Sequence, residues 1–254
     1  MSVRRLLIIG IGAGDPDHVT IQAVKALNAF DVLFVVTKDG PDDLVDLRRR
    51  VVGRHRTAGP HRTVELADPP RPWREAPDYE PAVRRWREQR VDLWEAAIGE
   101  HLAGGETGAF LVWGDPSLYE STLAVVQEIV ARGREELEHE VIPGVSSIHA
   151  LTARHRIPLN RVGRAVQITP ARLLAEGLPE GVDDVVVMLD AQATFATLPA
   201  EGIDIYWGAF LGTDDEILIS GHLGDTAQEI ARVREEAKAR KGWMFDTYLL
   251  RRTT

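Results

Sequence analysis

The chain of 254 residues contains no cysteine, and only four of its thirty basic residues are lysines. Without cysteine, neither a disulfide nor a thiolate metal site is possible, which fits a reducing compartment. The apolar segment "LLIIGIGAG" near the N-terminus is interrupted by glycines and soon followed by Asp15. It is too short to span a bilayer and lacks the pattern of a signal peptide. We therefore expect a cytoplasmic protein with no membrane partner.

Charge is distributed unevenly along the chain. The formal net charge of −9 argues against non-specific binding to nucleic acid. Residues 48–90, however, contain twelve arginines, no lysine and six acidic residues, so this stretch is positive. Arginine is well suited to bidentate binding of carboxylates or phosphates. The stretch indicates either an anion-binding role or only the general preference of this chain for arginine over lysine.

Several common site motifs are missing from the sequence. The stretch "GIGAGD" does not match G-x-G-x-x-G, because Asp15 occupies the third glycine position. Neither a phosphate-binding G-x-x-x-x-G-K-[ST] loop nor a G-x-S-x-G elbow is present. His149 and His155 are six residues apart on a predicted helix, so they face different directions. We predict no metal site, and a dinucleotide-dependent oxidoreductase remains a rival hypothesis.

The hydrophobic pattern indicates an α/β protein. Residues 5–11 and 31–36 are apolar runs typical of buried strands, and a helix is predicted between them. This β-α-β unit favours a parallel sheet. Another strand is predicted at 108–115, followed by a helix. Residues 57–81 are proline-rich and are predicted to be irregular, and a helix with Arg87 and Arg90 on its half-buried face is predicted over 82–102.

The second half of the chain has a different pattern. Strands predicted at 203–211 and 216–220 are separated by "GTDD", which is typical of an antiparallel hairpin. We therefore predict two α/β domains with a cleft between them. The N-terminal domain is assigned to residues 1–118, with an Arg/Pro-rich insertion near 48–90, and the C-terminal domain to residues 119–254.

Three predicted strands end in turns rich in glycine, proline and serine. These turns are residues 10–15, residues 114–117 and residues 143–147. In open α/β sheets, ligands bind outside the carboxyl ends of strands, where tight turns free backbone N–H and C=O groups. Such residues can also serve only to form the turns. Because three such turns follow neighbouring elements, we interpret them as a ligand site.

At these turns the chain resembles the tetrapyrrole methylase family. The stretch "GIGAGDPDHVTIQAVKALNAFDV" resembles the G-x-G-x-G-D-P-x-x-L-T entry of that family, "WGDP" its Gly-Asp-Pro loop, and "IPGVSSIHA" its Pro-Gly-Val-Ser-Ser helix start. Trp113 stands where Gly-Gly-Asp-Pro members have their first glycine. The stretch "ITPARLL" at 168–174 departs from the expected Thr-Thr-Gly-Arg. The resemblance covers nearly the whole chain.

The resemblance implies the fold of the class III S-adenosylmethionine methyltransferases, with two domains, mixed sheets and an interdomain cleft. It also implies S-adenosyl-L-methionine as methyl donor, S-adenosyl-L-homocysteine as product, and a tetrapyrrole substrate. The expected donor contacts, carried over by position, are Trp113, Gly114, Asp115, Ser146, Ser147, Met188, Ala209 and Trp243. The first glycine loop is expected to face the tetrapyrrole. A homodimer is usual for proteins of this kind.

Stretches such as "LVWGDPSLY" and "GWMFDTYLLRR" resemble the members that methylate carbon 1 of precorrin-5 and release acetate, giving precorrin-6A. Releasing acetate requires a base to activate water and a donor to stabilise an oxyanion. The candidates are Asp15, His18, Asp115 and Tyr119, each of which could instead be a turn or capping residue. Candidate clamps for substrate carboxylates are Arg48, Arg49, Arg50, Arg87 and Arg90. Another precorrin methyltransferase and a non-catalytic binding module remain alternatives.

Overall fold

The computed structural model describes residues 2–37, 43–70, 78–174 and 177–253. The chain divides into two compact units. Unit 1 comprises Met1–Gly12 and Pro16–Val145, and unit 2 comprises Ala13–Asp15 and Ser146–Thr254. Residues 71–77 of the predicted Arg/Pro-rich insertion lie outside the described residues.

Unit 1 is built on a parallel sheet of five strands in the order β3-β2-β4-β1-β5. The strands are β1 (Arg4–Gly10), β2 (Val32–Thr37), β3 (Arg62–Ala67), β4 (Thr107–Val112) and β5 (Leu137–Ile142), and the helices are α1 (Ile21–Leu27), α2 (Asp43–His55), α3 (Tyr79–His101) and α4 (Thr122–Arg132). The predicted β-α-β unit and parallel sheet are confirmed. Thr20 caps α1 by accepting a hydrogen bond from the Ala23 N–H at 3.0 Å.

The sheet of unit 1 carries a hydrophobic core on each face. The first core packs α1 and α2 against it through side chains such as Leu27, Leu47 and Val51. On the opposite face, α3 and α4 pack through Trp94, Val126 and others. The direction of strand addition reverses after β3, so β1 lies between β4 and β5. Ligand sites of α/β folds form outside the carboxyl ends of strands at such a reversal.

Unit 2 contains a mixed sheet in the order β6-β7-β10-β8-β9, in which β6 pairs with β7 in parallel and the other neighbouring strands pair antiparallel. Its strands are β6 (Val166–Pro170), β7 (Asp184–Met188), β8 (Ile203–Ala209), β9 (Ile217–His222) and β10 (Asp246–Arg252), and its helices are α5 (Ser147–His155) and α6 (Leu223–Lys241). The predicted β8–β9 hairpin is confirmed. A core that includes Trp207, Phe195 and Ile230 packs on this sheet.

Two sequence predictions need correction. Residues 57–81 were expected to be irregular, but β3 lies within them and pairs with β2. Because β3 is an exposed edge strand with only Leu66 buried, its sequence lacks the apolar signal of a central strand. The predicted division at residues 118/119 precedes α4 and β5. Because β5 pairs with β1 over six residues, the structure keeps this segment in unit 1.

Arg90 is held inside unit 1 by a buried ion pair. Its Nε lies 2.8 Å from Asp68 Oδ1, and the two side chains are 5% and 3% exposed. The guanidinium also stacks on Trp94, with 4.6 Å between Cζ and the ring centroid, and donates to Ser121 Oγ. The prediction that Arg90 clamps a substrate carboxylate is therefore wrong, because its guanidinium is already enclosed by protein groups.

Replacing Arg90 by Met is expected to destabilise the protein. The substitution keeps an aliphatic side chain but leaves the Asp68 carboxylate buried without its cation, which costs about 3 kcal/mol. Urea unfolding measures this change in the free energy of unfolding. Arg49→Met is the matched control, because its pair with Asp46 is exposed at 68% and 59% and is worth less than about 1 kcal/mol. Equal stabilities of the two variants would contradict the assignment.

Candidate functional site

The carboxyl ends of β1, β4 and β5 meet through glycine backbone. A Cβ atom placed on Gly10 would lie 2.6 Å from the nitrogen of Gly144 and 2.9 Å from the carbonyl oxygen of Gly114. One placed on Gly144 would overlap that same carbonyl oxygen. Real Cβ atoms do not approach other atoms so closely, so only glycine permits this contact. The predicted gathering of three glycine turns is therefore present at one edge of the unit 1 sheet.

Short backbone bonds tie the first and second of these turns together. The Gly114 N–H donates to the Gly12 carbonyl at 2.8 Å, and the Ile11 N–H donates to the Val112 carbonyl at 2.9 Å. Gly12 and Gly114 both have positive φ angles, 82° and 68°. The loop after β1 is thus joined to the loop after β4, which places Gly114 beside the end of β1.

Asp115 connects the second turn to the third. One carboxylate oxygen accepts the Gly144 N–H at 3.0 Å. The other accepts the Ser117 N–H at 2.8 Å and the Ser117 hydroxyl. The carboxylate therefore fixes both its own Gly-Asp-Pro turn and the turn after β5. This is the bridging role that a turn residue plays, and it places Asp115 at the edge where the glycines meet.

The remaining candidates of unit 1 lie in the loops around this edge. His18 lies in a short 3-10 turn, Pro16–His18, with its Cβ close to Gly12. Its Nδ1 is buried and has no hydrogen-bond partner among the described residues. Trp113 is half-buried against the core beside α1 and α2. Tyr119 is 44% exposed and adopts φ 51°, a conformation that costs a non-glycine residue energy and often marks a functional site.

Arg48 contacts the end of β4 from one face of the sheet, whereas Arg90 contacts the loop after β4 from the other face. Its Nε donates to the Leu111 carbonyl at 3.0 Å, at the end of β4. Burial lowers the pKa of the Arg48 guanidinium, and the nearby Glu120 carboxylate partly opposes this effect. Glu120 in turn accepts bonds from the N–H groups of Ser121 and Thr122 at 2.8 and 2.9 Å. Arg48 and Arg90 thus support the loop after β4 rather than project from it.

In unit 2, the predicted residues Met188 and Ala209 lie at one edge of the sheet. Met188 ends β7 and pairs with Thr247, while Ala209 ends β8 and pairs with Asp246. Trp243 lies just before β10, and its ring contacts that of Phe210 edge to face, with 5.0 Å between centroids. The register of β7, β10 and β8 therefore brings these three predicted positions to the same end of the sheet.

The segment Ala13–Asp15 belongs to this edge of unit 2 although it follows β1 in the sequence. A side chain on Gly14 would overlap the Leu211 carbonyl oxygen, and one on Gly212 would lie 2.6 Å from the Asp15 nitrogen. Gly212 is held in place by its N–H, which donates to Glu216 Oε2 at 2.8 Å. Asp15 therefore lies against the turn after β8.

A buried polar network supports the strand ends of unit 2. Asp246 accepts hydrogen bonds from Trp207 Nε1 and from Arg234 Nε, both at 3.0 Å. Burial raises the pKa of the Asp246 carboxyl, and the Arg234 guanidinium opposes this shift. Asp190, after β7, accepts the Tyr248 hydroxyl at 2.8 Å and the Thr194 N–H at 2.7 Å. These bonds fix the turns that follow Met188 and precede β10.

Ser146 and Ser147 begin α5. Ser146 is 5% exposed and is the N-cap residue, but its hydroxyl does not bond a backbone N–H of the helix. Instead Ser146 Oγ lies 2.8 Å from Nδ1 of His149. Ser147 is the first residue of the helix and is half-buried.

Sequence reasoning missed some residues at these strand ends. Leu189 and Phe210 follow β7 and β8 and have φ angles of 56° and 50°. Leu189 is also 59% exposed. A left-handed conformation is unusual for these residue types, so nothing in the sequence indicates it.

Two further classes of site are not found in the described ranges. Within residues 2–37, 43–70, 78–174 and 177–253, no group of three His, Cys, Asp or Glu side chains is placed to hold a metal ion. Among the helices of those same ranges, none is long and apolar enough to cross a membrane.

Replacing Gly144 by Ala is expected to disturb the glycine contact. The added methyl group would overlap the Gly114 carbonyl oxygen and the Gly10 backbone, at a cost of about 1–3 kcal/mol in the free energy of unfolding. Gly59→Ala is the control, because a Cβ there meets nothing within 4 Å. Guanidinium unfolding of both variants measures the difference. An unaltered Gly144→Ala protein would show that the three turns do not need this contact.

Known proteins resemble this chain over its whole length. The sequence model of the Tetrapyrrole (Corrin/Porphyrin) Methylases matches residues 5–227. Precorrin-6A synthase [deacetylating] of Sinorhizobium sp is 46% identical over 251 residues, which cover 98% of this chain and 96% of that protein.

Solved structures show the same architecture. The crystal structure of the cobalamin synthesis related protein CobF from Corynebacterium diphtheriae superposes with a TM-score of 0.85 at 34% identity, and the match covers both chains fully. Uroporphyrin-III C-methyltransferase of Thermus thermophilus, complexed with S-adenosyl homocysteine, superposes with a TM-score of 0.60 at 18% identity, covering 97% of this chain and 96% of that one. With the family sequence model matching most of its length, this chain belongs to the tetrapyrrole (corrin/porphyrin) methylase family.

Proposed function

We propose that this chain transfers a methyl group from S-adenosyl-L-methionine to carbon 1 of precorrin-5 and releases the acetyl group of the substrate as acetate. The product is precorrin-6A, an intermediate of cobalamin biosynthesis. The observation that carries the proposal is the near full-length similarity to the Sinorhizobium enzyme, at 46% identity. At that level of identity we infer the same reaction, and not only the same fold.

In this proposal the methyl donor contacts the residues carried over from the family, namely Trp113, Gly114, Asp115, Ser146, Ser147, Met188, Ala209 and Trp243. Gly114 and Asp115 lie at the glycine contact of unit 1, and Met188 and Ala209 end adjacent strands of unit 2. Tight turns at strand ends generally leave backbone N–H and C=O groups available to a ligand, which suits a methyl donor with many polar atoms.

The methyl-transfer step itself needs little acid or base catalysis. The methyl group on a sulfonium is already electrophilic, so the protein has to hold the nucleophilic ring carbon in line with it and exclude water. S-adenosyl-L-homocysteine is then the second product. The close backbone packing of Gly10, Gly114 and Gly144 favours this kind of positioning, because it leaves no space for a side chain between the turns.

Deacetylation requires groups that act on a carbonyl carbon. Water must be activated by a base, and the oxyanion that forms must be stabilised by hydrogen-bond donors. Asp15, His18, Asp115 and Tyr119 remain the proposed residues for handling the substrate. The bonds of Asp115 to Gly144 and Ser117 favour a positioning role for it. Tyr119, four residues after Asp115, is 44% exposed.

The carboxylates of the tetrapyrrole are proposed to meet exposed arginines. Arg87 is exposed on α3, and Arg49 and Arg50 are exposed on α2. Arg48 contributes through the loop that it supports. Planar guanidinium groups bind carboxylates in a bidentate manner, and this suits a substrate with many acidic side chains.

We further propose that the protein acts in the cytoplasm as a homodimer. Both statements rest on the family resemblance, and the absence of cysteine is consistent with a reducing compartment. Sedimentation velocity of the purified protein measures the oligomeric state directly.

Incubation of the protein with precorrin-5 and S-adenosyl-L-methionine is expected to yield acetate and S-adenosyl-L-homocysteine in equal amounts. Equal yields are expected because one acetyl group leaves for each methyl group transferred. Both products are measured in the same quenched samples over time. S-adenosyl-L-homocysteine formed without acetate would instead indicate another precorrin methyltransferase of the family. The absence of both products would overturn the proposal.

Replacing Asp115 by Asn is expected to lower kcat/KM and to weaken binding of the methyl donor. An amide has one acceptor oxygen, so it cannot accept both the Gly144 N–H and the Ser117 groups that Asp115 accepts. Losing a charged acceptor from a hydrogen bond costs about 1.5–3 kcal/mol, roughly 10-fold or more in the kinetic constant.

Asp225→Asn is the control for this measurement, because Asp225 is exposed in the first turn of α6. Calorimetric titration with S-adenosyl-L-homocysteine separates donor binding from turnover. Unchanged kinetics in the Asp115→Asn protein would remove Asp115 from the site.

A further inference from the structure

We propose that His149 is the general base that activates water for deacetylation, and that Ser146 positions its ring. This inference rests on the function proposed above and names the residue that the deacetylation step requires. It is carried by the 2.8 Å distance between Ser146 Oγ and His149 Nδ1, which joins a buried hydroxyl to an exposed imidazole in the first turn of α5.

Ser146 is arranged unusually for an N-cap serine. Its backbone is extended, with φ −71° and ψ 159°, as is normal for a cap. A capping serine would bond the N–H two or three residues ahead, but Ser146 makes no such bond. The hydroxyl is directed to the imidazole of His149 instead. Ser146 is 5% exposed, so packing restricts the rotamers of its side chain. The hydrogen bond with this restricted hydroxyl orients the ring of His149.

The position of His149 in the chain agrees with this role. His149 lies five residues after Gly144, the glycine that packs on Gly10 and Gly114 at the carboxyl ends of β5, β1 and β4. It is therefore close in sequence to the turn that we assign to the ligand site.

The other histidines are less suited to be the base. In two of them Nε2 is hydrogen-bonded to a backbone carbonyl oxygen. His55 Nε2 lies 2.7 Å from the Pro16 oxygen, and His155 Nε2 lies 3.0 Å from the Trp207 oxygen. Burial also lowers the pKa of His155. Four others lie away from the strand ends that carry the predicted site residues, namely His61, His101, His139 and His222.

His18 is the remaining histidine at a strand carboxyl end. Its Nδ1 is buried without a hydrogen-bond partner in the described part of the chain. No hydrogen bond there holds the ring of His18 in one orientation. A general base needs a defined orientation, usually supplied by a hydrogen bond to its second nitrogen. His149 has that bond, and His18 does not.

The proposal assigns a role to each ring nitrogen of His149, with the Ser146 hydroxyl as acceptor. When Nδ1–H donates to Ser146 Oγ, Nε2 carries the free lone pair. No hydrogen bond to Nε2 occurs within the described residues, and the residue is exposed. Nε2 is therefore the atom that can accept a proton from water.

The proposed step conserves atoms and charge. Nε2 takes a proton from water, and the oxygen of the resulting hydroxide bonds to the acetyl carbonyl carbon. The tetrahedral intermediate then breaks the C–C bond between the acetyl group and the macrocycle, releasing acetic acid and leaving the electron pair on the macrocycle. That electron pair attacks the sulfonium methyl group, so the C–S bond breaks and S-adenosyl-L-homocysteine leaves. His149 returns its proton to solvent, and acetic acid ionises to acetate.

Replacing His149 by Ala is expected to lower the rate of acetate release by about 100-fold or more, the usual contribution of a general base. Added imidazole is expected to restore part of that rate, because a free base can enter the exposed gap. His101→Ala is the control, since His101 is 40% exposed at the end of α3. It should release acetate at the wild-type rate and gain nothing from imidazole.

Ser146 is tested by two substitutions. Ser146→Ala is expected to lower the rate of acetate release, whereas Ser146→Thr keeps a hydroxyl and should retain most of it. Binding of S-adenosyl-L-homocysteine is measured for both, because Ser146 is also proposed to contact the donor. A rate loss in Ser146→Ala at unchanged donor affinity supports positioning of His149.

The outcomes separate this inference from the proposed function. If the wild-type protein releases no acetate, the proposed function is overturned and the inference with it. If the wild-type protein releases acetate and His149→Ala does so at the same rate, only the inference is overturned. A His149→Ala protein that is slow but does not respond to imidazole, together with a Ser146→Thr protein as slow as Ser146→Ala, would also overturn it.

Discussion

The close backbone contact between Gly10, Gly114 and Gly144 is the constraint on which the proposed site depends. Three adjacent strands of unit 1 end at these residues, and a methyl group on Gly10 or Gly144 would overlap the backbone of a neighbouring turn. The Asp115 carboxylate then accepts a hydrogen bond from the turn after β5, which joins the two loops. A site built in this way is rigid because its backbone is packed, which favours a reaction that depends on alignment.

Charged side chains support these turns from inside each unit. Arg90 is paired with Asp68 below the loop after β4, and Arg234 is paired with Asp246 at the start of β10. A buried ion pair contributes little to the free energy of unfolding, because the cost of removing both charges from water is about as large as the energy of their attraction. Both pairs lie next to strand ends that carry predicted site residues. We infer that they fix loop geometry at a cost in stability.

Much of the fold could be predicted from the sequence, because the strands of both cores are apolar runs with clear boundaries. The β8–β9 hairpin and the Thr20 cap of α1 follow from local turn and capping chemistry. The edge strand β3 could not be predicted, since its side chains are mostly exposed and its pairing with β2 is non-local. The three glycine turns could be located from the sequence, but their contacts depend on sheet order, which no local pattern encodes.

Predictions for individual side chains were less successful. Arg90 shares the apolar stripe of α3 as expected, but the acid that pairs with it, Asp68, lies more than twenty residues earlier in the sequence. The bond between Ser146 and His149 depends on the rotamers of two residues in a helix whose pattern indicates only a capped start. Positive φ angles at Tyr119 and Phe210 likewise arise from tertiary packing.

A crystal structure of this protein with bound S-adenosyl-L-homocysteine would show directly whether the methyl donor binds at these strand ends. We predict that the ligand contacts Gly114, Asp115, Met188 and Ala209. A ligand bound away from the strand carboxyl ends of either unit, with the glycine contact untouched, would contradict it.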